Sequence, residues 1–204
     1  PIFRTVSSDD HYTGHKAAAL GGTTTVLDFV PQPEEGPMRA GVEAWHAKAD
    51  GKAAIDFGFH MNVTRLDSRV LEEIPSLVRD GITTLKVFTA YNNRLRLQDG
   101  EIFQVMRLAA RNGMLTMVHA ENGDVIAELT PAALAKSQTA PLYHAKTRPA
   151  IVEGEATGRA IALAGVAGAP LYVVHMTCRE ALEQLALGRA KGFAVMGETC
   201  TQYM

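Results

Sequence analysis

The sequence lacks the features that mark several classes of protein. Its 204 residues contain no run of about 18 apolar residues and open on no signal-peptide pattern, so neither a membrane helix nor secretion is predicted. They also contain no basic cluster and no acidic tail, and the net charge is only −2. This charge distribution argues against nucleic acids and anionic membranes as partners.

Cysteine is scarce as well. The two thiols, Cys178 and Cys200, form neither a disulfide framework nor a paired zinc motif. Two reduced thiols in a cytoplasmic protein are the natural interpretation. What the composition does provide, 47% hydrophobic and 21% charged residues, is typical of one globular domain, and no linker, repeat or low-complexity segment divides it. We therefore expect residues 1–204 to form a single domain.

Short apolar runs rich in Val, Ile, Thr and Phe alternate with longer segments of helical period. The runs cover residues 23–30, 53–63, 83–91, 114–122, 170–177 and 193–200. Most of the helical segments close on a glycine, the usual end of a helix. These glycines are Gly21, Gly51, Gly81, Gly113, Gly168 and Gly192. The alternation predicts an α/β fold in which helices cover a parallel sheet.

Both a doubly wound sheet and a (β/α)₈ TIM-type barrel could produce this alternation. The dinucleotide-binding version of the first is disfavoured, because no GxGxxG follows the first strand and Gly21 and Gly22 precede a strand instead of opening a helix. Only six strands are visible, and the chain begins with a helix. We therefore predict a partial barrel that lacks strands at both ends.

Three polar residues fall late in successive predicted strands. Lys86 lies within the buried run GITTLKVFTAY (81–91), where a charged amine costs several kcal/mol unless it is paired or reaches solvent. His119 and His175 follow the runs MLTMV and PLYVV. Catalytic residues of α/β barrels lie at the carboxyl ends of the strands. Taken singly, each histidine could simply bond a neighbouring carbonyl, and Lys86 could extend to solvent from a strand end.

Together, the three residues are suited to a metal site. Neutral imidazoles are ligands for zinc and similar ions. A lysine held neutral by burial or a nearby metal can add carbon dioxide to give a carbamate, an anion that can bridge two metals.

The chain resembles the dihydropyrimidinase and D-hydantoinase branch of the cyclic amidohydrolases. The segments that carry this resemblance are GGTTTVLDF, GFHMNV, LKVFTAY, VHAENGDV, YHAKTRP, EGEATGRAIALA, LYVVHMTC and GETCTQY. They occur in the order that the family has, over essentially the whole chain. The resemblance implies a (β/α)₈ barrel with two divalent metal ions, usually zinc, bridged by a carboxylated lysine and a hydroxide. It also implies a homo-oligomer, often a tetramer.

Roles for individual residues follow from the same resemblance. It implies that Lys86 is the N6-carboxylysine bridge and that His119 and His175 are ligands of the second metal. Tyr91 would polarise the carbonyl of the substrate. Phe88 would line the pocket for the exocyclic group of the substrate.

Other parts of the family's site have no counterpart in the sequence. The family's HxH pair is expected just before Pro1, and its aspartate ligand after an eighth strand. His11 and His15 do not replace the pair, because their spacing is HxxxH on a predicted helix. Pro1, Ile2 and Phe3 are expected in a further pocket loop. The resemblance therefore implies a fragment with about half of the metal site, inactive by itself.

The predicted reaction is the opening of a small cyclic amide, a dihydropyrimidine or a hydantoin, to an N-carbamoyl amino acid. Allantoinase and dihydroorotase are alternatives within the enzyme class, although Gln202 stands where allantoinases tend to have histidine. The collapsin response mediator proteins, which are non-enzymatic assembly proteins of the same fold, are an alternative of another class. Retention of Lys86, His119 and His175 argues against that alternative.

Overall fold

The computed structural model describes residues 6–203. Pro1, Ile2 and Phe3, which were predicted to form a pocket loop, lie outside the described residues.

Six parallel strands form one sheet, in the order in which they occur along the chain. They are β1 (Thr25–Val30), β2 (Asp56–Asn62), β3 (Thr84–Phe88), β4 (Leu115–His119), β5 (Leu171–Val173) and β6 (Val195–Gly197). Each strand lies within one of the six predicted apolar runs, so the predicted α/β fold is confirmed. Within residues 6–203, β1 and β6 each pair with one neighbour only.

The connections are helical. The α-helices are α1 (His11–Leu20), α2 (Met38–Ala49), α3 (Ser68–Leu77), α4 (Asp99–Arg111), α5 (Gly123–Leu134), α6 (Leu142–Lys146), α7 (Ala150–Ala167) and α8 (Arg179–Ala190). Short 3₁₀ turns cover Val78–Asp80 and Thr201–Tyr203. In the part of the chain that the structure describes, no helix combines the length and the apolar character needed to cross a membrane.

Local side-chain caps fix where several helices begin. The carboxylate of Asp10 accepts hydrogen bonds from the first turn of α1, and Asp67 accepts one at the start of α3. Asn122 accepts from the amides of Asp124 and Val125, at 3.2 and 3.1 Å, and so starts α5 directly after β4. This cap holds α5 close to the carboxyl end of the sheet.

Glycines end the helices largely as predicted. Positive φ angles occur at Gly51, Gly81, Gly113, Gly168 and Gly192. At the end of α1 the prediction is off by one residue, because Gly22 has the positive φ (89°) and Gly21 remains right-handed at −83°. A residue without Cβ adopts the left-handed conformation at little cost.

The strands divide their side chains between two environments. In β3, Leu85 and Val87 are fully buried in the hydrophobic cluster formed with the helices. Lys86 and Phe88 alternate with them and therefore point to the opposite face of the sheet, which is the barrel interior. The helix-facing side supplies the core, and the inner side carries Lys86 together with Phe88.

Gly123 is required where α5 approaches the loop after β3. A Cβ at this position would lie 2.8 Å from Ala90 Cα and 3.0 Å from the carbonyl oxygen of Thr89. We expect Gly123→Ala to lower the free energy of unfolding by about 1–3 kcal/mol, as overpacked sites do. Urea denaturation measures this change.

The matched control is Gly100→Ala in α4, where a Cβ meets no atom within 4 Å. Alanine is the better helix former by up to about 1 kcal/mol, so the control should be neutral or stabilising. Equal effects of the two substitutions would contradict the close approach.

Candidate functional site

The structure brings the predicted site residues together at the carboxyl ends of three neighbouring strands. Lys86 is the third residue of β3 and Phe88 its last, and Phe88 pairs in register with His119 at the end of β4. His175 follows β5 by two residues after Val173. The parallel arrangement therefore gathers side chains that are far apart in the sequence.

Lys86 is buried, with 5% of its surface exposed. Its Nζ lies 4.9 Å from the ring centroid of Phe88 and 5.2 Å from that of Phe29. Burial lowers the pKa of Lys86 to about 8, although the carboxylate of Glu198 acts in the opposite direction. The alternative that Lys86 extends to solvent is therefore wrong, and its neutral amine is accessible at mildly alkaline pH.

The two histidines are in direct contact. Nδ1 of His119 lies 2.9 Å from Nε2 of His175, and Nε2 of His119 lies 2.8 Å from Oε2 of Glu121. Since a carboxylate can only accept, the proton belongs on Nε2 of His119 and the lone pair on Nδ1. Burial, followed by the charges of His119 and Lys86, lowers the pKa of His175 to about 4. His175 is thus a neutral imidazole at physiological pH.

Glu121 is held in place from several sides. Its backbone amide donates to Oγ1 of Thr89 at 3.0 Å, and that hydroxyl donates to its carbonyl at 2.8 Å. Burial alone would raise the pKa of Glu121, but the hydrogen bond from His119 and the charge of Arg148 lower it overall. Nε of Arg148 lies 3.6 Å from Oε1 of Glu121. The carboxylate therefore stays ionised and orients His119.

Tyr91 lies beside these groups in a left-handed conformation, with a φ of 67°. Its ring centroid is 4.8 Å from that of His119 and 6.2 Å from that of Phe88. The loop that carries it is tied to α5 by the ion pair between Arg96 and Asp124. Burial raises the pKa of Tyr91, so the phenol keeps its proton and can donate a hydrogen bond.

His175 also has a left-handed backbone, with a φ of 42°. The residues after it are anchored, since Met176 N donates to the carbonyl of Glu198 at 2.7 Å and Thr177 N donates to Oε1 of Glu153 at 2.8 Å. Such a conformation costs a residue with a side chain of order 1 kcal/mol or more and persists only where its surroundings enforce it.

The donor set fits a divalent metal ion in part. Two imidazoles with nitrogens that face each other are suitable ligands, and a lysine with a lowered pKa lies on the same inner face. Within residues 6–203, no group of three or more His, Cys, Asp or Glu side chains is arranged to hold a metal ion.

Sequence reasoning assigned no role to several residues of the inner face. Nδ1 of His60 on β2 is in very short contact with Oγ1 of Thr84 on β3, one inward position before Lys86. Burial, and then the charge of Lys86, lower the pKa of His60. In the same region, the ring of Phe29 on β1 packs against that of His60, with 4.9 Å between ring centroids. The alternation of side chains along β3 predicts that Thr84 points to the inner face. The sequence carries no local signal for its contacts with residues of other strands.

Comparison with known proteins gives a consistent result. No family model matches the chain. The D-hydantoinase of Geobacillus stearothermophilus is 49% identical over 205 residues, which cover 100% of this chain and 44% of that protein. The D-phenylhydantoinase of Escherichia coli is 40% identical over 200 residues, which cover 97% of this chain and 43% of that protein. The chain spans less than half the length of the curated relatives it matches.

Solved structures agree with the sequence comparison. A D-hydantoinase from a Bacillus species matches with a TM-score of 0.97 and 49% identity, over 100% of this chain and 45% of that chain. The dihydropyrimidinase of Brevibacillus agri matches with a TM-score of 0.95 and 51% identity, over 98% of this chain and 44% of that chain. The six strands and their helices therefore have the same fold as part of these solved structures, and the predicted partial barrel is confirmed.

The burial of Lys86 leads to a prediction about stability. The pKa is lowered from 10.5 to about 8, which corresponds to a cost of about 3 kcal/mol for the charged folded state. We expect Lys86→Met to raise the free energy of unfolding by about 2–3 kcal/mol at neutral pH in metal-free, carbon-dioxide-free buffer. Urea denaturation measures the difference.

The pH dependence of this gain has a definite sign. Below pH 8 both the folded and the unfolded lysine are charged and the full penalty applies, whereas above pH 10.5 both are neutral and it vanishes. The advantage of Lys86→Met should therefore shrink as the pH rises between these values. The control, Lys16→Met at an exposed position of α1, should change stability little. A gain that grows with pH would contradict a buried ammonium.

Proposed function

We propose that this chain, a homologue of part of the D-hydantoinases and dihydropyrimidinases over its whole length, carries half of the active site of a metal-dependent cyclic amidohydrolase. The single observation that carries the proposal is the position of buried Lys86 on the same inner face as the contacting pair His119 and His175. The substrate class is a hydantoin or dihydropyrimidine ring.

The proposed metal ligands are the two ring nitrogens that face each other and the Lys86 amine. His119 through Nδ1 and His175 through Nε2 would hold one ion, and Lys86, as a carbamate, would bridge it to a second. When bound, divalent ions of this kind, zinc in the first instance, supply a hydroxide near neutral pH. Glu121 keeps the proton of His119 on Nε2, so that Nδ1 stays free for the metal.

Carboxylation of Lys86 needs no catalyst beyond its own surroundings. The neutral amine adds to the carbon of carbon dioxide, a nitrogen–carbon bond forms, and the nitrogen releases one proton to water. Burial favours this step because it lowers the pKa of Lys86 and so increases the neutral fraction. The product carries a negative charge where the ammonium form carries a positive one, which suits a position between two cations.

Tyr91 and Phe88 have separate proposed roles. Tyr91, with its proton retained, would donate a hydrogen bond to the carbonyl oxygen of the ring amide as negative charge develops there. Phe88, buried beside His119 with 6.0 Å between ring centroids, would contact the exocyclic group of the substrate. The carbon–nitrogen bond of the ring opens, the carbon gains hydroxyl and the nitrogen gains hydrogen, which gives an N-carbamoyl amino acid.

The alternatives to a hydantoinase or dihydropyrimidinase activity have less support. The similarity to a D-hydantoinase and a dihydropyrimidinase favours hydantoins and dihydropyrimidines over the allantoinase and dihydroorotase alternatives. A non-enzymatic assembly role is disfavoured, because the structure keeps Lys86, His119 and His175 together. A homo-oligomer, a cytoplasmic location and a single domain over residues 1–204 stay predictions.

A chimera provides the direct test. The segment of the Geobacillus stearothermophilus D-hydantoinase that aligns with this chain would be replaced by residues 1–204, so that the remainder of the barrel is supplied by that protein. We expect the folded chimera to bind divalent metal and to hydrolyse hydantoin or dihydrouracil. Lys86→Ala in the chimera should abolish metal loading and activity, with partial recovery on addition of a short carboxylic acid.

Two outcomes would count against the proposal. A folded, metal-loaded chimera that opens neither ring would exclude the proposed substrates. An active and metal-loaded Lys86→Ala chimera without added acid would exclude the carbamate. Lys16→Ala, at an exposed lysine of α1, is the matched control and should leave hydrolysis unchanged.

Tyr91 has its own test in the same chimera. Tyr91→Phe removes the hydrogen-bond donor and keeps the ring, so we expect kcat to fall by about 10²–10³-fold with little change in KM. Tyr12→Phe, at an exposed tyrosine of α1, should have no effect. A kcat for Tyr91→Phe within a factor of two of the unmodified chimera would rule out the role of the phenol.

A further inference from the structure

We propose that His11 and His15 form a second metal site, specific for a divalent transition-metal ion such as Cu²⁺ or Zn²⁺, on the helix-covered face of the sheet. The site is separate from the one at the strand ends. His11 and His15 pack beside Phe57, which packs against the helix-facing hydrophobic cluster, whereas Lys86 and His119 point to the inner face.

The spacing and the geometry of the pair are those of two ligands of one ion. Residues four apart on α1 lie on the same side of the helix. Nδ1 of His11 is 3.3 Å from Nε2 of His15, and the rings are nearly perpendicular at 82°. Two nitrogens bound at 2.0–2.1 Å to one tetrahedral ion lie about 3.3 Å apart. A direct N–H···N hydrogen bond would normally be shorter.

His15 is an unusual residue for a purely structural role. It is 4% exposed, and its Nδ1 has no hydrogen-bond partner among the residues that the structure describes. Nδ1 is the ring nitrogen that does not contact His11, so Nε2, which faces His11, is the nitrogen of His15 that could act as a ligand. His11 keeps 13% of its side chain exposed, which leaves a route for an ion from solvent.

A carboxylate lies on the side of His11 that faces away from His15. Oδ2 of Asp28 on β1 lies 4.0 Å from Nε2 of His11, the ring nitrogen that faces away from His15. The indole of Trp45 on α2 donates to the same oxygen at 2.9 Å. A carboxylate opposite the coordinating nitrogen is the usual outer partner of a metal-bound histidine, since it holds the proton on the other nitrogen.

The chemistry of the site is structural. No third His, Cys, Asp or Glu side chain within residues 6–203 completes the coordination, so water would fill the remaining positions and the affinity would be moderate. Through His11 and Asp28, the ion would link α1 to β1. The hydrogen bond from Trp45 to Asp28 would extend this link to α2. The proposal is independent of any hydrolytic activity.

Trp45 provides a local readout, because it is the only tryptophan in the chain. Titration of the metal-free chain with Cu²⁺ alone should quench Trp45 fluorescence saturably, since bound Cu²⁺ quenches nearby indoles. His11→Ala, at the less buried member of the pair, should raise the half-saturating concentration of Cu²⁺ at least tenfold. His119→Ala should leave it unchanged, which distinguishes this site from the strand-end site.

A competing ligand near the indole requires a matched control. His46 follows Trp45 by one residue, and its Nδ1 lies 3.6 Å from Oδ1 of Asp50. His46→Ala should retain the quenching. Loss of quenching in His46→Ala, or its persistence in His11→Ala, would overturn the proposal.

Thermal unfolding gives a second measurement. Zn²⁺ should raise the Tm of the chain that carries His119→Ala, and His11→Ala in that background should remove the shift. Asp28→Asn should reduce the affinity for Cu²⁺ several-fold, because it replaces the outer carboxylate by a neutral group. An Asp28→Asn chain with unchanged affinity, or a Zn²⁺ shift that survives His11→Ala, would also contradict the site.

Discussion

The burial of the Lys86 amine is the constraint on which the rest of the inner face depends. A charged amine held at 5% exposure, between the rings of Phe88 and Phe29, costs the folded state about 3 kcal/mol, a large part of the net stability of a typical domain. The cost disappears if the nitrogen is neutral. The inner face therefore disfavours the ammonium, and the proposed carboxylation of Lys86 would remove this cost.

The surroundings of the inner face also determine which nitrogens of His119 and His175 carry protons. His175 is neutral because burial and nearby positive charge oppose its protonation, and His119 has its proton fixed by Glu121. Nδ1 of His119 thus presents a lone pair to Nε2 of His175 on the inner face. Glu121 is itself ionised, held by Thr89 and Arg148, and so the orientation of His119 does not depend on a flexible partner.

Much of this could be predicted from the sequence, for physical reasons. Parallel strands buried on both faces give continuous apolar runs, so all six strands and the late positions of Lys86, His119 and His175 could be located. The division of residues 124–168 into three helices was less visible, since Pro131 lies inside α5 whereas Pro149 precedes α7. Contacts between strands, such as that of His60 with Thr84, depend on the closure of the sheet and leave no local pattern.

The backbone conformations of Tyr91 and His175 could not be predicted, because neither is a glycine and no turn motif marks them. Each follows a strand and turns the chain, so that its side chain approaches His119, with ring centroids 4.8 and 4.7 Å away. The left-handed strain at both positions is opposed by helix carboxylates that hold a later residue of each loop. Asp124 pairs with Arg96 after Tyr91, and Glu153 accepts from Thr177 after His175. Since these partners lie on α5 and α7, the precision of the inner face is set by helices on the outer face of the sheet.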